Sequence, residues 1–139
     1  MNRSVSVLLL LLLSSAAHAK CATETYIVGG FIGSSPDSAP VEGAEISVAY
    51  GENVGDLSAA RTAVAQTGKD GHYSVEVRFY PLSASRRGSD ECNAKLTSVS
   101  VSVSAAGFES LSQLLSLDGT AATANYSLKR TAVNRHGVD

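Results

Sequence analysis

Beyond residue 19, apolar positions in this chain recur with period two, not 3.6, and each alternating run reads as a strand. Tyr26, Val28, Gly30 and Ile32 alternate with Ile27, Gly29, Phe31 and Gly33 in an apolar first strand. Residues 34–40, with two prolines and Asp37, cannot continue a ladder and mark a loop. Ala44, Ile46, Val48 and Tyr50 give a second strand one apolar face, with Glu45 and Ser47 opposite. After the turn-rich stretch 51–58, residues 59–67 form a weaker strand centred on Val64. The pair Asp70-Gly71 tolerates positive φ and sits between two β-patterned runs, which predicts a hairpin. Tyr73, Val75, Val77 and Phe79 then line one face of a strand whose other face is Ser74, Glu76 and Arg78.

Residues 81–93 form a long polar connection, followed by Thr97, Val99, Val101 and Val103 in strict alternation with Ser98, Ser100, Ser102 and Ser104. That pattern predicts a half-buried strand with a wet serine face. The segment from Ala106-Gly107-Phe108 to Leu117 has two readings, because Leu111, Leu114 and Leu115 also share one face of a helical turn. Asp118-Gly119 predicts a second hairpin, leading to a last strand carrying Ala122, Ala124, Tyr126 and Leu128. The polar residues 130–139 read as a frayed tail. About seven short strands, with turns between them and no long helix, predict an all-β, two-sheet sandwich of immunoglobulin-like size over residues 20–129.

The first nineteen residues follow different rules. Asn2 and Arg3 open them, an apolar run from Val5 ends in six consecutive leucines, and Ala17-His18-Ala19 offers a small-x-small cleavage site. These are the zones of a secretory signal peptide, with cleavage expected after Ala19. The run falls short of the ~20 residues that cross a bilayer, so no membrane span is expected in the mature chain. Lys20, directly before Cys21, argues against a lipid-modified cysteine. Removal of the leader leaves 120 of the 139 residues, enough for one core. It also removes Arg3, taking the formal charge from −2 to −3, which gives no electrostatic reason to expect nucleic acid as a partner. Export to the periplasm or the exterior would place Cys21 and Cys92 in an oxidising compartment, where a disulfide is the expected state of such a pair.

Several residues recur in a recognisable order: Gly30-Phe31-Ile32, then Pro40-Val41-Glu42-Gly43-Ala44-Glu45-Ile46, then Thr67-Gly68-Lys69-Asp70-Gly71-His72-Tyr73, then Ala106-Gly107-Phe108. Over residues 26–128 this resembles the carboxypeptidase regulatory-like domain, a transthyretin-like seven-stranded sandwich. The resemblance implies structural roles for Gly30, Gly43, Ala44, Asp70, Gly71, Tyr73 and Gly107. Gly43 would let the chain turn into a strand, Gly71 would close the hairpin, and Tyr73 would enter the core. The chain departs from that pattern at Gly68, where an aspartate is common, and in the long connection bearing Cys92.

The residues speak against two enzymatic readings of this architecture. Transthyretin-like hydrolases end in Tyr-Arg-Gly-Ser, whereas this chain ends Asn134-Arg135-His136-Gly137-Val138-Asp139. An intradiol dioxygenase needs two tyrosines and two histidines around iron, and His72 and His136 are the histidines left after the leader. His72 reads as a turn-flanking polar residue, and Lys69-Asp70 lacks the alternating oxygen ligands of a calcium loop. No catalytic residue, cofactor or metal is therefore expected. Arg86, Arg87, Asp90 and Glu91 make the long connection a charged tip suited to an unknown protein or envelope partner. The sequence thus predicts a non-catalytic exported module that binds or scaffolds. Two alternatives stand beside it: a small transthyretin-like hydrolase or metalloenzyme, and a strand-pairing assembly subunit.

Overall fold

The computed structural model describes residues 21–51, 60–81, 83–84 and 90–132. The leader, Arg86, Arg87 and residues 133–139 lie outside the described residues. Within them the chain is all-β: β1 (Glu24–Ser35), β2 (Glu45–Gly51), β3 (Ala60–Gln66), β4 (His72–Phe79), β5 (Ser83–Ala84), β6 (Asp90–Glu91), β7 (Ser98–Ser104), β8 (Leu111–Ser116), β9 (Ala121–Thr123) and β10 (Tyr126–Lys129).

Two four-stranded sheets form the sandwich. One has β1 at its centre, with β4 antiparallel along one edge; along the other edge, β9 and then β10 run parallel to it. The other sheet has the order β3-β2-β7-β8, antiparallel throughout. Taking β9 and β10 as one interrupted strand gives seven sandwich strands, as the alternation predicts. The interruption falls at Ala124-Asn125, where Asn125 Oδ1 accepts the Phe31 N–H at 2.9 Å and so stands in for a ladder bond. The short ribbon of β5 and β6 stands apart from both sheets.

The core is the alternation made physical. Tyr26, Val28 and Ile32 of β1, Tyr73, Val75, Val77 and Phe79 of β4, and Tyr126 and Leu128 of β10 face Ile46, Val48 and Tyr50 of β2 and Val99, Val101 and Val103 of β7, all buried. Each such side chain withdrawn from water contributes about 1.5–3 kcal/mol, the dominant favourable term for the fold.

The structure corrects three expectations and decides between the two readings of a fourth segment. Asp70-Gly71 does not close a hairpin: β3 belongs to the β2 sheet and β4 to the β1 sheet, so the turn carries the chain across the sandwich. Asp118-Gly119 does the same between β8 and β9. Turn chemistry sets a local reversal but does not dictate that the flanking strands pair. The weaker strand around Val64 is present as β3, in which Val64 points to solvent and Ala63 and Ala65 meet the core. The segment 111–116 is a strand, because Leu111 and Leu115 sit opposite Val103 and Val99 and share their inward face. Beyond residue 129, Arg130 bridges Phe108 and the Thr131 N–H donates to the Gly107 carbonyl at 3.0 Å, so the expected tail begins tied down.

Candidate functional site

The motif residues assemble into two structural knots. In the first, Gly43 takes φ +69° in the turn that leads into β2. Thr67 is buried at the end of β3; its Oγ1 accepts the Ala44 N–H at 2.9 Å and donates to the Val41 carbonyl at 2.6 Å. The backbones also bond there, Thr67 to Ala44 at 2.9 Å and Gly43 to Thr67 at 3.1 Å. The sequence places Thr67 in the motif but does not show that it fastens the Gly43-Ala44 turn. In the second knot, Tyr73 Oη donates to the Ala124 carbonyl at 2.7 Å, across Gly30. A Cβ at Gly30 would lie 1.9 Å from that carbonyl oxygen, so the glycine creates the space the bond crosses. Burial, and secondarily the neighbouring Tyr126, push the Tyr73 phenol far above its ordinary range.

Gly71 has φ +75°, and a Cβ there would meet the Ile32 carbonyl at 2.7 Å. Gly107, at φ +81°, lies in a turn where a Cβ would meet nothing. Asp70 receives the His72 N–H on Oδ1 at 3.1 Å, while its Oδ2 lies 3.4 Å from His72 Nδ1. Both side chains are exposed, so this is a solvated turn contact.

Surface features gather at the opposite end of β4. Cys21 and Cys92 are joined in a disulfide, with Cα atoms 5.4 Å apart, tying the approach to β1 to the end of the 81–93 connection. Tyr80 Oη accepts the Cys21 N–H at 3.2 Å, and the Ala94 N–H donates to the Pro81 carbonyl at 3.1 Å, closing the base of that connection. Expected as a plain loop, it contains the β5–β6 ribbon, with Ser83 opposite Glu91 and Ala84 opposite Asp90. Asp90 and Glu91 are therefore placed on a strand.

Beside this tether opens a cleft of about 520 Å³, lined by charged Glu24, Lys95 and Asp118 and by Tyr26, Leu96 and Thr120 among others. Tyr26 Oη donates to Glu24 Oε2 at 2.8 Å. Burial first, and the Glu24 bond second, hold that phenol above its ordinary range. A smaller hollow of about 370 Å³ lies among Thr23, Arg61, Arg78 and Tyr80, where the Arg78 guanidinium is held 2.7 Å from Glu76. No local sequence signal could have grouped Glu24, Lys95 and Asp118, which come from β1, the approach to β7 and the β8–β9 turn.

Chemically, this end offers hydrogen-bonding edges and mixed charge. Among the described residues no cluster of three or more His, Cys, Asp or Glu side chains could hold a metal ion. The two-tyrosine, two-histidine iron set does not fit them either: His72 is exposed, and Tyr73 and Tyr126 are turned into the core. No helix among them is long and apolar enough to cross a membrane.

No family model matches the chain, and no curated protein matches it. Solved structures do. Catechol 1,2-dioxygenase from Acinetobacter radioresistens aligns with 79% of this chain and 53% of its own, at 16% identity and a TM-score of 0.52. 3-Chlorocatechol 1,2-dioxygenase from Rhodococcus opacus aligns with 81% of this chain and 62% of its own, at 9% identity and a TM-score of 0.54. A point mutant of the shaft pilin SpaA from Lactobacillus rhamnosus GG aligns at 13% identity over 80% of this chain and 49% of that one, with a TM-score of 0.44. This chain thus spans 53–62% of the two dioxygenases, and what it shares with them is the β-sandwich fold.

Proposed function

We propose that this chain is an exported, non-catalytic β-sandwich module of the carboxypeptidase regulatory-like kind, which binds or scaffolds a protein or other envelope component through its disulfide-tethered end. The Cys21–Cys92 bridge carries this reading. A disulfide that closes about half of the chain suits an oxidising compartment, in agreement with the leader-like start of the sequence. It also anchors the 81–93 connection, which carries Arg86, Arg87, Asp90 and Glu91, to a rigid sandwich, the usual way a recognition segment is presented. The mixed charge of the neighbouring cleft favours a polar, protein-like partner over nucleic acid. His72 is exposed and paired with an equally exposed carboxylate, Asp70, which favours binding over catalysis.

Export is tested by expressing the full chain in a host with a working secretory pathway and sequencing the N-terminus of the recovered protein. Lys20 as the first residue is expected; a retained Met1 would overturn export by cleavage. The binding role is tested by capture from the native envelope fraction, comparing the wild-type chain with one in which Arg86, Arg87, Asp90 and Glu91 are all serine. A partner retained by the first and lost by the second supports the reading, and equal retention refutes the assignment to this connection. A stoichiometric transition metal, or a hydrolase activity abolished by His72→Ala, would replace the binding module with an enzyme.

A further inference from the structure

The exposed edge of the β3-β2-β7-β8 sheet goes beyond that reading, because it lies on a different surface and stands whether or not the tethered end binds anything. The Leu117 N–H donates to the Thr97 carbonyl at 2.8 Å. Bonded and unbonded pairs alternate along an antiparallel ladder. The bonded pairs of β7 and β8 are therefore Leu115 with Val99, Gln113 with Val101 and Leu111 with Val103. It follows that the backbone N–H and C=O groups of Ser112, Leu114 and Ser116 point away from β7. Among the described residues no strand lies beyond β8 to receive them.

Sheet edges are normally guarded by charge, proline or a bulge. The β8 sequence Leu-Ser-Gln-Leu-Leu-Ser has no charge and no proline. By contrast, Arg61 lies on β3 at the far edge of this sheet, and Glu76 and Arg78 lie on β4 at an edge of the other. Leu114 is 70% exposed, against 57% for Val64 and 39% for Ile27, which makes it the most exposed of the large apolar side chains described. Its neighbour across the ladder on the same outer face is Ser100, and the row beside it pairs Ser102 with Ser112, hydroxyls 3.2 Å apart. A leucine standing among small hydroxyls leaves room for another side chain beside it.

We propose that β8 pairs antiparallel with β8 of a second copy of this chain, about a two-fold axis through Leu114. In that register Leu114 faces Leu114 of the second copy, and Ser112 and Ser116 face each other's counterparts. All three residues with outward backbone groups then sit in bonded pairs, so every donor and acceptor named above is used. A two-fold interface must tolerate each residue's own chemistry across the axis. The neutral β8 meets that condition, whereas an edge bearing an arginine would bring two arginines together across the axis. The two copies would share one continuous eight-stranded sheet, with both leucines covered on its outer face.

The experiment is sedimentation velocity of the exported, disulfide-intact chain over a dilution series, for wild type, Leu114→Lys and Val64→Lys. The expected result is a concentration-dependent dimer for wild type and Val64→Lys, and a monomer at every concentration for Leu114→Lys, with unchanged circular dichroism and the melting temperature of dilute, monomeric wild type. Leu114→Cys tests the register and should yield a covalent dimer on mild oxidation, because directly opposed residues stand at the separation a disulfide spans. A wild-type chain that stays monomeric at all concentrations overturns the proposal and leaves the edge to a strand from another protein. A dimer that survives Leu114→Lys, or one that Leu114→Cys fails to cross-link, overturns it as well.

Discussion

Thr67 shows how one hydroxyl can hold a motif together. Buried and bonded on both sides, it satisfies the Ala44 N–H and the Val41 carbonyl at once. Thr67→Val keeps the shape and orphans both groups, which should lower stability by about 2 kcal/mol, whereas Thr67→Ser should stay within about 1 kcal/mol of wild type. Urea titrations of the two variants check this. The buried phenols make a second prediction at the same scale. Burial raises the pKa of Tyr73, Tyr126 and Tyr26, so the folded state keeps protons that the unfolded chain releases near the ordinary value of 10.0. Their contribution to stability is therefore fully present below that value and is lost as pH rises beyond it. Melts in increasing alkali should show a falling midpoint there, with a shallower fall in Tyr73→Phe. The sequence shows that Tyr73 and Gly30 matter but not why. The reason is Ala124, fifty-one residues beyond Tyr73, whose carbonyl crosses the glycine to meet the phenol.

At the scale of elements, period-two alternation places nearly every strand, because the inward positions of β2, β4 and β7, and most of those of β1, are large and apolar. It is weaker where the inward residues are alanines, as in β3, and leaves two readings open where an outward leucine mimics a helical spacing, as in β8. Strand partners are the larger omission. Gly71 and Gly119 signal reversals, yet whether the chain returns to the same sheet depends on how the two faces stack, which no short stretch encodes. The candidate surface was legible in its disulfide and its charged connection, and illegible in the cleft that three separated elements build. The tether itself carries a prediction. Its two ends are 71 residues apart, so replacing both cysteines with serine restores that freedom to the unfolded chain and should cost up to about 4 kcal/mol. Thermal melts of the Cys21→Ser/Cys92→Ser chain against the oxidised parent read this directly, and the ribbon of β5 and β6 should lose amide protection before the sandwich does.

For the whole molecule, the central strand of one sheet depends on strands from the middle and the far part of the sequence. β1 takes β4 on one side, and β9 and β10 on the other. A chain truncated after Gly119 would keep every strand of the β3-β2-β7-β8 sheet and still expose one flank of β1, along with the core face that Tyr126 and Leu128 cover. Such a truncation is expected to lose cooperative unfolding, measured as a broad calorimetric transition in place of a single sharp peak. A sharp peak at the parental temperature would show that the C-terminal strands are dispensable.

On the proposed export route, the same arrangement would govern the order in which a chain threaded through a pore can finish itself. Residues leaving N-terminus first bring out β1 long before its last neighbour, and Tyr126–Lys129 must clear the channel before that flank is sealed. Until then one flank of β1 would be an open template in a crowded space, so a strand near the far end of the sequence would decide whether a segment near its start is protected.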